Sequence, residues 1–180
     1  VSVSRAHGSV CFPARFILIA SMNPCPCGYA TDPERACVCT PIQALRYAKR
    51  LSGPLLDRID LKVHVPRVTT DDLMKLEPGE PSSAVRRRIQ TARDLQTARA
   101  NQTGVATNAE LTSERIRACC PQTEDARKLL RQATDRFHLS ARAYFRVLRV
   151  AQTIADLSAA ETIEAPHVAE ALQYRQQEAT

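Results

Sequence analysis

Hydrophobic and polar positions follow two different rules along this chain. Val1 to Arg5 and Val10 to Phe12 alternate apolar with polar residues around His7-Gly8, the period-two pattern of a short hairpin. Arg15 to Ser21 encloses a continuous apolar run, Phe16 to Ala20, as expected of a strand buried on both faces. Asn23 to Thr40 is dense in Pro, Gly and Cys and reads as loop. Thr40 then stands as the cap of a helix from Pro41 to about Leu51, broken by Ser52-Gly53-Pro54. A second strand is expected from Ile59 or Asp60 to Val65, stopped by Pro66.

Beyond Thr69 the pattern changes. Residues 69–81 read as a linker ending in Glu77-Pro78-Gly79-Glu80-Pro81, and everything after it is helical. Ser82 or Ser83 caps a helix to about Ala100, in which Arg86, Arg87, Arg88, Arg93 and Arg99 outweigh Asp94. Thr112 caps a short helix ending near Cys120-Pro121, and Thr123 another whose Ala126, Leu129, Leu130, Ala133 and Phe137 share one face. Ser140 caps a helix with the stripe Tyr144, Val147, Leu148, Ala151, Ile154 and Ala155. Pro166 opens a last helix carrying Val168, Ala169 and Leu172. The fold class is α/β plus all-α: the end of an α/β domain, then a small helical one.

Composition narrows the function. The chain has 180 residues with 44% hydrophobic and 24% charged content, which suits a folded globular protein and not disorder, collagen or coiled coil. No apolar run reaches the ~20 residues of a membrane span, and Val1 to Arg15 lacks the apolar core of a secretory signal. A cytoplasmic location is therefore expected. The formal charge is +6, carried by 21 Arg and 4 Lys, which permits a polyanionic partner. Trp is absent and aromatics total 4%, so recognition by base stacking is a poor reading.

The seven cysteines are an odd number, in a chain read as residing in a reducing compartment. Cys25-Pro-Cys27 and Cys37-Val-Cys39 are separated by nine residues, and Gly28 to Pro33 between them is turn chemistry. Two close thiol pairs across a short loop can converge on one tetrahedral ion, expected to be a structural zinc, although an iron–sulfur cluster takes the same ligands. Cys11, Cys119 and Cys120 stand outside this group and read as packing residues.

Three polar residues sit where ligands gather. Asn23 follows the first buried strand, where a neutral amide can orient a water or a phosphate oxygen; an Asn before Pro is also an ordinary turn residue. Arg58 lies between carboxylates in Leu55-Leu-Asp-Arg-Ile-Asp60, as a local ion pair or as an arginine offered to a neighbour's phosphate. Arg142 stands in the first turn of a helix, against the helix dipole, a conflict that a nearby anion would remove. No glycine precedes a Lys, so no Walker-type phosphate loop is present, and no Asp-Glu pair ends an apolar strand. His7, His64, His138 and His167 suggest no triad.

Together the stretches Phe12-Pro-Ala-Arg-Phe16, Met22-Asn-Pro-Cys-Pro-Cys-Gly28, Cys37-Val-Cys-Thr-Pro41, Leu51 to Asp60, Leu139-Ser-Ala-Arg-Ala-Tyr144 and His167 to Arg175 resemble the magnesium-chelatase-like AAA+ ATPases of the ComM/YifB group. The resemblance implies residues 1–68 as the C-terminal part of a parallel-sheet ATPase core with an inserted zinc loop. It also implies 69–81 as linker and 82–180 as a helical lid. Asn23 matches sensor 1, which aligns the attacking water. Arg58 looks like the arginine finger that reaches a neighbouring subunit's ATP, and Arg142 like the lid's sensor 2. The hairpin resembles one that points into a central pore toward DNA, with Arg5 the favoured contact and the Arg86 to Arg99 face the second. The P-loop and Mg²⁺-binding acids are expected upstream, making this chain a C-terminal fragment that does not turn over ATP alone. The function so implied is part of a hexameric, ATP- and Mg²⁺-dependent motor acting on DNA, in branch migration during recombination or transformation. A metal-chelatase-like or remodelling subunit without a DNA partner, and a stand-alone zinc-bound interaction module, are the alternatives.

Overall fold

A computed structural model describes residues 1–14, 16–74 and 78–175. The chain divides into two compact units, Val1–Arg50 and the remainder from Leu51.

In the first unit, strands β1 (Ser2–Arg5) and β2 (Gly8–Cys11) form the expected antiparallel hairpin, with Arg5 opposite Gly8 across a two-residue loop. Its base is closed by the Val1 amino group donating to the Phe12 carbonyl at 2.7 Å and by the Phe12 N–H returning to Val1 at 2.8 Å. Helix α1 (Pro41–Ala48) starts as expected: Thr40 accepts from the Gln43 N–H, and the Gln43 side chain accepts from the Thr40 N–H.

The two expected buried strands are not formed. Phe16 to Ser21 and Ile59 to Val65 carry no ladder, and β1 and β2 make the only sheet among the described residues. Arg15, the first residue of that expected strand, lies outside the described residues. An apolar run acquires strand geometry only when neighbours accept and donate its backbone hydrogen bonds. Without a parallel neighbour, Phe16, Ile17, Leu18 and Ile19 stand exposed.

The second unit opens with the single turn α2 (Gly53–Leu56), capped by Ser52. The segment read as linker contains a short helix, α3 (Thr70–Met74), preceded by reciprocal bonds between Thr69 and Asp72; residues 75–77 of that segment lie outside the described residues. Helix α4 (Ser82–Thr103) begins one residue after Pro81, which takes the cap position without a side-chain bond, so neither Ser82 nor Ser83 caps it. It runs three residues past the expected Ala100 and ends at Gly104, whose φ of +65° is the left-handed region that closes a helix.

A 3₁₀ turn (Asn108–Glu110) leads to α5 (Ser113–Cys119), α6 (Glu124–Phe137) and α7 (Ala141–Leu157). These three helices are capped by Thr112, Thr123 and Ser140, as their sequences indicate. Helix α8 (Ala165–Gln173) has Pro166 in its first turn. Ile116, Leu130, Val147, Leu148, Ile163 and Val168 form the centre of the shared core. Two stripe members differ from expectation. Phe137 is exposed, because α6 ends there at the left-handed His138. Ala169 is exposed and Ala171 buried, which restores the i, i+3, i+4 face Val168, Ala171, Leu172. Asp156 of α7, itself buried, pairs with Arg99 of α4 beneath the 3₁₀ turn.

Candidate functional site

The cysteine loop folds by local turn chemistry. The Gly28 N–H donates to the Cys25 carbonyl at 3.0 Å, and Gly28 takes φ +86°, which a side chain resists. Asp32 Oδ1 accepts from the Glu34 and Arg35 N–H groups, both at 2.9 Å, turning the chain back. The Arg35 guanidinium lies 4.0 Å above the Tyr29 ring centre and donates to its hydroxyl at 2.7 Å, closing the loop's outer side.

This path brings all four predicted thiols together. Their Sγ atoms lie within 4.8 Å of one another, with Cys25–Cys27 at 3.3 Å, Cys27–Cys37 at 3.5 Å and Cys25–Cys37 at 3.7 Å. A tetrahedron with Zn–S bonds of about 2.3 Å has edges of about 3.8 Å, so the donor set fits one ion. Cys25 is fully buried, Cys27 and Cys39 are half-buried and Cys37 is exposed.

The electrostatics also suit a cation. The Tyr29 backbone N–H, with support from Val38, holds the Cys27 thiol down at about 6. At Cys39 the Cys27 backbone pulls downward, yet burial and the neighbouring thiols prevail and push it up to about 12. One thiolate forms readily and the next is opposed, as close like charges require; a cation among them removes that opposition. Backbone donors aimed at the sulfurs are the outer shell that thiolate sites use.

The remaining cysteines divide. Cys120 is buried in the helical core, as a packing residue should be, and Cys119 is half-buried. Cys11 is exposed at the end of β2, so it does not pack.

Asn23 stands exposed in the first unit beside this loop; a Cβ added at Gly28 would lie 4.0 Å from its Nδ2. Arg5 is exposed at the hairpin tip. Beside the cysteine loop, Pro26, Gln43, Arg46, Tyr47 and Arg50 line a shallow groove. Sequence reasoning misses the arginines of that groove. Their i, i+4 spacing on α1 and just beyond it (Arg46, Arg50) is the available signal.

Arg58 and Arg142 both lie in the second unit. Arg58 is exposed and donates from Nη1 to the Pro54 carbonyl of its own turn. It makes no ion pair among the described residues, although Asp57 and Asp60 flank it. Those carboxylates go elsewhere: Asp57 to Arg175 and Asp60 to Arg146, each at 3.4 Å. Arg142 is exposed in the first turn of α7, without a side-chain partner among the described residues. A purely structural ion pair explains neither arginine. Of the basic α4 face, Arg99 turns inward to Asp156 and Arg88 pairs with Glu80, so it is not a uniformly free surface. No helix among the described residues is long and apolar enough to cross a membrane.

Two family models match the chain. The model for magnesium chelatase, subunit ChlI, covers residues 1–73, and that for its C-terminal region covers residues 79–175. The chain is 41% identical to the competence protein ComM of Haemophilus influenzae over 176 residues, 97% of this chain and 33% of that protein. It is 40% identical to the uncharacterized protein YifB of Escherichia coli, again over 97% of this chain and 34% of the relative. An uncharacterized protein of Mycobacterium bovis, Mb2921c, is 40% identical over 98% of this chain and 34% of its own length. The chain thus spans about a third of the length of the curated relatives it matches.

Proposed function

The chain belongs to the magnesium chelatase ChlI-like family of AAA+ proteins, and from that membership we propose that it is the C-terminal portion of a hexameric, ATP-driven motor acting on DNA. Arg58 is the arginine finger given to a neighbour's ATP. Asn23 is the sensor that orients the attacking water, and Arg142 is the lid residue that reads its own subunit's nucleotide. ATP and Mg²⁺ are held with residues upstream of this sequence. Cys25, Cys27, Cys37 and Cys39 hold a structural zinc, a reading supported by the spacing of their sulfurs, which suits a single ion.

The observation that carries the reading is the state of the two arginines. Each guanidinium is exposed and lacks a carboxylate among the described residues, and for Arg58 this holds with an acid on either side. An arginine left unpaired in this way is available to phosphate oxygens, which its planar fork matches. The DNA partner is supported by identity to a competence protein and by the basic balance of the chain, with Arg5 on the hairpin as the contact.

The test is ATP turnover by the full-length polypeptide that carries this sequence, with and without DNA. DNA-stimulated hydrolysis is expected. Arg5→Ala should weaken DNA binding and make the slope of log affinity against log salt shallower by about 1, since one fewer phosphate is neutralised. Turnover indifferent to DNA, together with unchanged binding by Arg5→Ala, would favour a remodelling subunit without a DNA partner.

A further inference from the structure

Arg58 lies on a short segment that the helical part of its own subunit holds at three points. Asp57 meets Nη2 of Arg175, just beyond the end of α8, at 3.4 Å. Asp60 meets Nε of Arg146, in the second turn of α7, at 3.4 Å. The Lys62 N–H donates to the Tyr174 carbonyl at 3.1 Å. The two arginines are mostly packed, with side chains 15% and 11% exposed, whereas Asp57 and Asp60 are 51% and 53% exposed. The fixed side of each pair is therefore the helical side, and the acids of the Arg58 segment dock onto it.

The Arg146 contact is also incomplete. Its Nε faces Asp60, and its Nη1 is buried without a hydrogen-bond partner among the described residues. Burial lowers the Arg146 pKa and Asp60 opposes that shift, as expected of a packed cation whose nearest carboxylate matters to it. Arg142 stands one turn before Arg146 on the same face of α7. A displacement of α7 through Arg142 therefore reaches Asp60, and through it the segment that carries Arg58.

We propose that Asp60–Arg146 and Asp57–Arg175 are positioning contacts through which α7 and the end of α8 aim Arg58, so that nucleotide contact at Arg142 in one subunit tunes the arginine acting on the next. This rests on the reading of Arg58 and Arg142 given above. The four residues of the two pairs are positioning residues that act through Arg58. The coupling runs along one helix and two ion pairs, and links consecutive sites around a ring.

The test uses the full-length ATPase. Asp60→Asn and Arg146→Gln should each lower kcat by about 10- to 100-fold, the cost of misplacing a catalytic group by an ångström, with the Kd for ATP within about twofold of wild type. The charge reversal Asp60→Arg with Arg146→Asp should restore much of the lost kcat. A merely structural role would lower the melting temperature and the folded fraction but leave kcat per folded subunit unchanged. Should Asp60→Asn fail to fold, Asp57→Asn with Arg175→Gln applies the same readout at the other contact. Normal kcat in Asp57→Asn/Asp60→Asn, beside an inactive Arg58→Ala, overturns the positioning role and leaves the finger reading standing. Full turnover by Arg58→Ala overturns both.

Discussion

Arg99 on α4 and Asp156 on α7 are joined at 2.6 Å between Nη2 and Oδ1, with the carboxylate fully buried. Asn108 donates to Oδ2 of the same carboxylate at 2.7 Å and Gln152 to Oδ1 at 2.9 Å, so both oxygens are hydrogen-bonded. The pair raises the Arg99 pKa through its hydrogen bonds to Asp156, and the arginine stays charged. Removing one member strands the other: Arg99→Ala should cost about 3–5 kcal/mol in urea unfolding of the helical part. Arg88→Ala, which breaks the exposed pairing with Glu80, should cost under ~1 kcal/mol. Equal costs for the two variants would contradict this ranking.

Protein purified without chelators should carry about one equivalent of zinc, as a single four-thiolate site requires. Cys25→Ser should lose the metal and loosen the loop, because this sulfur is the buried one. Cys11→Ser should keep the full equivalent. Elemental analysis with thiol titration decides it; four freely reactive thiols in native protein, with no metal, would remove the claim.

Arg58→Ala and Arg142→Ala should fail differently in the full-length protein. A finger supplied in trans contributes ~10³-fold or more to turnover, so Arg58→Ala should bind ATP nearly normally and hydrolyse it poorly. Mixed with subunits that lack a working P-loop but keep Arg58, it should regain activity. Arg142→Ala should gain nothing from the same mixture. Rescue of both, or of neither, argues against the division of roles.

Burial pushes the Cys120 thiol from its ordinary value near 9.0 up to about 11. Below pH 9 both folded and unfolded chains keep this proton, and stability is unaffected by it. Between about pH 9 and 11 the unfolded chain releases the proton and the folded chain retains it, so stability falls as pH rises. Cys120→Val should flatten that part of a urea-midpoint profile relative to wild type. The two profiles should run parallel below pH 8.

The helical half is legible in the sequence because its signals are local. Thr112, Thr123 and Ser140 each cap the helix that follows, and the α7 stripe packs as its spacing requires. The cysteine loop is legible for the same reason: 15 residues contain all four ligands and the turn between them. What sequence misses depends on distant partners. Phe16 to Ser21 has the composition of a buried strand, but composition does not provide a ladder. Asp57 and Asp60 read as local partners of Arg58; their actual partners, Arg175 and Arg146, lie more than 80 positions away. Arg99 reads as part of a solvated basic face because nothing local to it announces Asp156.

The bare run Phe16-Ile-Leu-Ile-Ala-Ser21 also governs how this polypeptide behaves at high concentration. Ile17 and Ile19 are 90% and 91% exposed, and the six residues contain no charge, Pro or Gly. Such six-residue segments stack in register, each chain saturating the backbone of the next, with side chains interlocked in dry sheets. A neighbour covering this run would therefore do more than complete a fold: it would also remove an edge open to such stacking. Preparations of the 180-residue chain should accordingly be limited by fibril nucleation well before they are limited by the stability of the helices.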